Sequence, residues 1–230
     1  TMLLDYIQRR QQMLQEKDDF YTPLGIQVFT KDPLMNDGVD LDSVVAKFES
    51  QLPDHIRDEV EMIIVGHFDE FEDRDINAFY KDGTLHVSNV QSDAEDLLDD
   101  LVHETAHSLE SVHGQMIYGD QRLKNEFLRK REHLYNILWK MGFKIPKQSF
   151  MNVEYDQEFD ELLHQDIGYD KLAEVLKGVF ITPYAATSLR EYFATAFTEF
   201  YLHPDSHGYL KKVSPEVYSK LVLLHGLDKA

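Results

Sequence analysis

No cysteine occurs in the 230 residues. Disulfides and thiolate metal sites are therefore excluded, and any metal ligands must be His, Asp or Glu. Basic residues are scarce: 23 Lys and Arg stand against 42 Asp and Glu, a formal charge of −19. A surface of that sign repels phosphate, which argues against nucleic acid as a partner while leaving basic proteins compatible. No apolar run reaches membrane-spanning length, and no signal-peptide pattern opens the chain. Internal repeats, low-complexity tracts and long Gly/Ser linkers are missing too. An apolar fraction of 43%, rich in Phe and Tyr, supplies a sizeable core. The length suits one compact domain or two lobes sharing a cleft.

Hydrophobic periodicity divides the chain into strands first and helices afterwards. Residues 2–19 read as an amphipathic helix, 25–30 as a strand, 42–52 as a helix and 60–68 as a strand. The stretch 77–89 reads as a hairpin around Asp82-Gly83. Residues 92–112 carry Ala94, Leu97, Leu98, Leu101, Val102 and Leu109 at the spacing of a buried helical stripe, with Ser92-x-x-Glu95 as a capping box. Further helices are expected over 125–142, 154–165, 188–202 and 214–226, the last opened by a Ser N-cap with Pro at the first helical position. The pattern predicts an α+β chain forming a single domain over 1–230: a mixed lobe over 1–113 containing a small sheet, then a helical lobe over 114–230.

The segment "HETAH" (103–107) bears the chemistry. On a helix, His103 and His107 stand one above the other, at a separation one zinc ion can bridge. Glu104 sits about 100° round the helix, able to reach a water on the metal without ligating it, which is where a general base belongs. The competing reading is an ordinary solvated face, because Asp96, Asp99, Asp100 and Glu110 share that side.

A catalytic zinc needs a third protein ligand and an open position. His113 stands at the spacing of a third histidine beyond a sharp bend, but Glu110 occupies the place where that bend needs glycine. Glu126 is compatible in distance but lies in the charge-dense "NEFLRKREH", which reads as a partly exposed face. Glu191 fits best: the apolar stripe Leu189, Tyr192, Phe193, Ala196, Phe197 and Phe200 points one way, and Glu191 points the other among the small residues Ala194, Thr195 and Thr198. Its alternative is a capping box with Ser188. Tyr184 follows Pro183 on a loop leading into the same helix. His67, His86, His133, His164, His203 and His207 lack helical partners at ligand spacing and read as surface or packing residues.

Two segments, "HETAH" and "TPYAATSLREYFATAF" (182–197), resemble the gluzincin zinc metalloproteases of the anthrax lethal factor and Pro-Pro endopeptidase group. The tail at 201–221 is similar at lower specificity. The resemblance implies a zincin-like fold and one Zn2+ held by His103, His107 and Glu191. It further implies Glu104 as general base, Tyr184 as transition-state stabiliser, and a peptide or protein substrate held along a sheet edge at 84–89. Thr195 departs from the acidic residue that relatives often carry four positions after the ligand glutamate, where it would orient a zinc-bound histidine. The 83 residues between His107 and Glu191 leave room for a helical insertion over about 120–175. A non-catalytic interaction module binding a basic partner is the competing function.

Overall fold

The computed structural model describes residues 4–5, 19–74 and 76–229. The helix expected over 2–19 lies outside the described residues except at Leu4, Asp5 and Asp19, and Asp19 opens a strand. Two compact units divide the chain, Thr1–Ser108 and Leu109–Ala230. The observed class is mixed α+β, with a small five-stranded sheet followed by helices.

The first unit holds strands β1 (Asp19–Tyr21), β2 (Gln27–Thr30), β3 (Met62–Gly66), β4 (Ala78–Lys81) and β5 (Thr84–Ser88). Their order is β1-β2-β3-β5-β4. The central pairs β2–β3 and β3–β5 are parallel, and β1 and β4 pair antiparallel at the two edges. Parallel neighbours need crossover connections. Helices α1 (Leu41–Gln51) and α2 (Asp54–Arg57) supply one, and the other runs through α3 (Asp69–Arg74) and β4. The β4–β5 hairpin turns on Asp82 and Gly83, at φ 48° and 82°. Both values are positive, as the two-residue turn that matches strand twist requires. The hairpin corrects one expectation: β5 lies between β3 and β4, so the strand at 84–89 is interior and β4 is the free edge on that side.

Register sorts the two faces. Val28, Ile63 and Leu85 align across three strands and Val65 and Val87 across two, and all five are fully buried. Phe29, Ile64, His86 and Phe79 line the opposite face, where Phe29 is 40% exposed. There the His86 imidazole stacks on Phe79 at 4.3 Å, with Phe68 edge-on to it at 5.0 Å. Burial holds that imidazole below its ordinary pKa, so it is a neutral packing ring.

Helix α4 (Ala94–Tyr118) has 25 residues and runs beyond the expected end at 112. Its N-terminus is capped by Asp93, whose carboxylate accepts the Asp96 amide at 2.9 Å, rather than by Ser92. Leu97, Leu101 and Val102 are fully buried and join Val44, Val45 and Phe48 in the core of the first unit. Ala94, expected in that stripe, is exposed on the first turn.

The second unit is helical: α5 (Arg122–Lys140), α6 (Lys147–Met151), α7 (Gln157–Glu161), α8 (Tyr169–Val175), α9 (Leu189–Leu202), α10 (His207–Val213) and α11 (Pro215–His225). A π-helical stretch over Leu162–Gly168 joins α7 to α8, and a 3-10 turn over Pro183–Ala186 precedes α9. Sequence spacing suggests that α5 exposes its charges, yet Glu126, Lys130 and Arg131 are 3%, 9% and 1% exposed. Such burial is tolerable only where each polar atom finds a partner. Glu126 accepts from the Tyr192 hydroxyl at 2.5 Å and from the Glu216 and Val217 amides at 2.7 and 3.4 Å. It thereby caps α11 from a distance. Ser214 stands at the N-cap of α11 without capping it, its hydroxyl instead accepting from the Lys130 ammonium at 2.8 Å. Lys130 also donates to the carbonyls of Val179 and Val213. Among the described residues no helix is long and apolar enough to cross a membrane.

Replacing Glu126 with Gln leaves one acceptor oxygen for three donors and removes the charge at the start of α11. The expected loss is about 1–3 kcal/mol in urea denaturation. A loss under about 0.5 kcal/mol, the size of an ordinary surface change, would contradict the capping role.

Candidate metal centre

The middle of α4 is buried along much of its circumference, while Asp96 and Asp99 are exposed and His103, His107 and Glu110 are half-buried. Leu101, Val102, Glu104, Thr105, Ala106, Ser108 and Leu109 are buried, Glu104 at 9% exposure and Thr105 and Ser108 at zero. The two hydroxyls bond back into the helix, Thr105 to the Leu101 carbonyl at 2.7 Å and Ser108 to the Thr105 carbonyl at 2.6 Å. His103 and His107 are half-buried, with ring centroids 5.3 Å apart and planes at 74°.

The ligand-capable atoms of His103, His107 and Glu191 all lie within 4.8 Å of one another, and no other such trio occurs among the described residues. Glu191 sits in the first turn of α9, where the Ser188 hydroxyl accepts the Glu191 amide at 3.1 Å. The capping and ligand readings are therefore compatible: Ser188 serves the backbone while the Glu191 side chain joins the histidines. The other two candidates stand apart. Because α4 continues unbroken through Glu110 and Gly114 to Tyr118, His113 is carried further along the helix and outside the trio. Glu126 is engaged at α11.

Within the second unit, the C-terminal turns of α4 are bound to α9. Glu110 pairs with Arg190 at 2.9 Å and accepts the Tyr118 hydroxyl at 3.1 Å, and Tyr118 meets Phe193 edge-on at 6.1 Å. Glu110 is one turn beyond His107 on a continuous helix, so these contacts fix the register that His107 shares.

Sequence reading missed Tyr118 as part of this surround. Its signal was available: eleven residues after His107 is three helical turns, the same face. Tyr169 gave no such signal, because it comes from a remote segment. The Tyr118 hydroxyl is pushed well up by burial, then by Glu110, with Glu191 adding. Burial, Asp160 and Glu191 do the same for Tyr169, which donates to Asp160 at 3.1 Å. Both phenols thus stay protonated near the Glu191 charge. Tyr184 is half-buried in the Pro183–Ala186 turn, where Thr182 caps and the Thr187 hydroxyl bonds the Tyr184 carbonyl at 2.7 Å. Thr195, one turn beyond Glu191, is half-buried on α9.

One turn before His103, Asp100 accepts from the Gln91 amide at 3.0 Å. Burial pushes its carboxyl up to about 7; Gln91 opposes the rise, the charges of Asp99 and Glu104 add to it, and His103 opposes it weakly.

The folded protein therefore holds the Asp100 proton where the unfolded chain has lost it, so this group's contribution to stability declines as pH climbs from 3.8 towards about 7. The slope reaches about 1.4 kcal/mol per pH unit. In metal-free protein Asp100→Asn should flatten the stability profile over that window, followed by urea denaturation at a series of pH values; parallel profiles for the two proteins would refute it. Comparison of the chain with protein families, curated proteins and solved structures yields no match.

Proposed function

We propose that this chain is a zinc-dependent peptide hydrolase of gluzincin type. The observation that carries the reading is the convergence of two histidines in an H-E-x-x-H helix with a glutamate from a different helix, all within 4.8 Å. The donor set fits zinc: two imidazoles and one carboxylate leave the fourth tetrahedral position open. Ligand atoms around a zinc with bonds of 2.0–2.1 Å stand about 3.4 Å apart. Small side-chain rotations therefore close the trio onto an ion.

When bound, zinc lowers the pKa of a coordinated water to about 7 and polarises the scissile carbonyl. The chain's own residues do the rest. Glu104, adjacent in sequence to the first ligand and 9% exposed, takes a proton from the attacking water on its carboxylate and returns it to the leaving amine nitrogen. Tyr184 donates its hydroxyl proton in a hydrogen bond to the oxygen that becomes negative in the transition state. An extended peptide would pair with the outer edge of β4, whose other side is filled by β5, through backbone hydrogen bonds.

Thr195 gives one specific reason to weigh a metal-holding, non-catalytic module, because it offers no carboxylate to orient a ligand histidine. One assay separates the two. Zinc-loaded protein is presented with a peptide library, alongside Glu104→Gln and Tyr184→Phe. Glu104→Gln should keep its zinc and lose about 10²–10⁴-fold in cleavage rate, and Tyr184→Phe should lose about 10²–10³-fold. Zinc binding without cleavage of any peptide favours the module. Cleavage undiminished in Glu104→Gln removes the assigned base.

A further inference from the structure

Arg131 is 1% exposed on α5, and the mechanism above makes no use of it. Its guanidinium bonds four backbone carbonyls. Nε donates to Ala186 at 2.6 Å and Nη2 to Thr187 at 2.9 Å, while Nη1 donates to Phe150 at 3.2 Å and Asn152 at 3.3 Å. The guanidinium carbon lies 4.1 Å from the Phe159 ring centroid and 4.7 Å from that of Phe127, so both aromatic rings hold the fork in place. Two of the four acceptors lie in the short stretch between Tyr184 and Glu191. The other two belong to a segment that is itself tied to the start of α9, because the Val153 carbonyl accepts the Leu189 amide at 2.8 Å.

Ala185, Ala186, Thr187 and Ser188 are all nearly or fully buried, and among these only Thr187 and Ser188 carry a side-chain polar atom. The turn's own hydrogen bonds engage the Ala185 and Thr187 amides, and Arg131 engages the Ala186 and Thr187 carbonyls. A planar fork with five donors can bind several carbonyls in fixed directions, whereas an ammonium group cannot reproduce that geometry.

We propose that Arg131 is a positioning residue for the metal centre: by fixing the 186–187 carbonyls it sets where the following turn presents Glu191 and where the preceding turn presents Tyr184. The inference rests on the reading of His103, His107 and Glu191 as a zinc site. It differs from a plain stability role, because it makes ligand placement, and so metal affinity, depend on a side chain that touches neither metal nor substrate.

The test is zinc affinity of the full chain, measured by competition with a chromogenic chelator well below the unfolding temperature, with zinc alone as the probe. Arg131→Lys keeps the charge and loses the fork. It should retain the helical circular dichroism signal while binding zinc about 10–100-fold more weakly, the usual effect of losing a group that orients a ligand. Phe159→Leu keeps Arg131 but removes one ring from the guanidinium, and should weaken zinc binding by a smaller factor. It serves as the deciding variant if Arg131→Lys does not fold. Folded variants that bind zinc as tightly as the parent overturn the positioning role and leave the zinc site standing. A parent protein that binds no zinc overturns both.

Discussion

Two imidazoles four residues apart can meet one ion only on a helix whose register cannot slip. Helix α4 is held in a register of that kind. Asp93 closes the helix at its start, and Leu97, Leu98 and Leu101 are buried along the turns that follow. At its far end the Lys220 ammonium bonds the Met116 carbonyl at 2.8 Å and Asp120 at 2.7 Å. A cation on the last carbonyls of a helix both satisfies unpaired acceptors and complements the helix dipole. Between these ends Glu110 is tied to Arg190, the neighbour of Glu191. The histidines therefore sit in a stretch pinned before and after them.

An acidic chain of this kind places its few cations where they count. Lys130, Arg131 and Lys220 are each under one-tenth exposed, and each binds backbone carbonyls. Burial pushes Lys130 down to about 8 and Arg131 down to about 9, with Glu126 and Asp156 respectively opposing the fall, so both stay charged at neutral pH. Helix ends and turns of the second unit, at Phe150, Asn152, Val179, Ala186, Thr187 and Val213, present the carbonyls that Lys130 and Arg131 bind. The residues that lead into Glu191 belong to that class. Glu191, the proposed ligand, stands on the first turn of α9, and the segment that leads into it is anchored from α5.

Much of this was legible in the sequence, for physical reasons that can be named. The leucine stripe specifies a helix, and the spacing of His103 and His107 sets both imidazoles on one side of it. Asp82-Gly83 specifies a tight hairpin, since few other pairs accept positive φ at both positions. Leu189, Tyr192, Phe193, Ala196, Phe197 and Phe200 are all buried as their spacing requires, and Ala194 at zero exposure accounts for the small residues beside Glu191.

Other features depended on partners distant in the chain. Nothing local distinguishes Asp93 from Ser92 as the cap of α4. Glu126, Lys130 and Arg131 look like a surface charge run until their carbonyl, amide and hydroxyl partners from 150 to 217 are in place. Strand order made β5 interior, a fact of pairing that alternation within one strand does not contain. The short strand β1 and the π-helical stretch at 162–168 likewise follow from tertiary context more than from propensity.

The most direct measurement is X-ray absorption at the zinc edge on zinc-loaded protein, compared with Glu191→Ala. A centre built from His103, His107 and Glu191 predicts two imidazoles and oxygen ligands at about 2.0–2.2 Å, with the carboxylate contribution lost in Glu191→Ala and both imidazoles retained. A spectrum unchanged by that substitution, or one requiring three imidazoles, would contradict it.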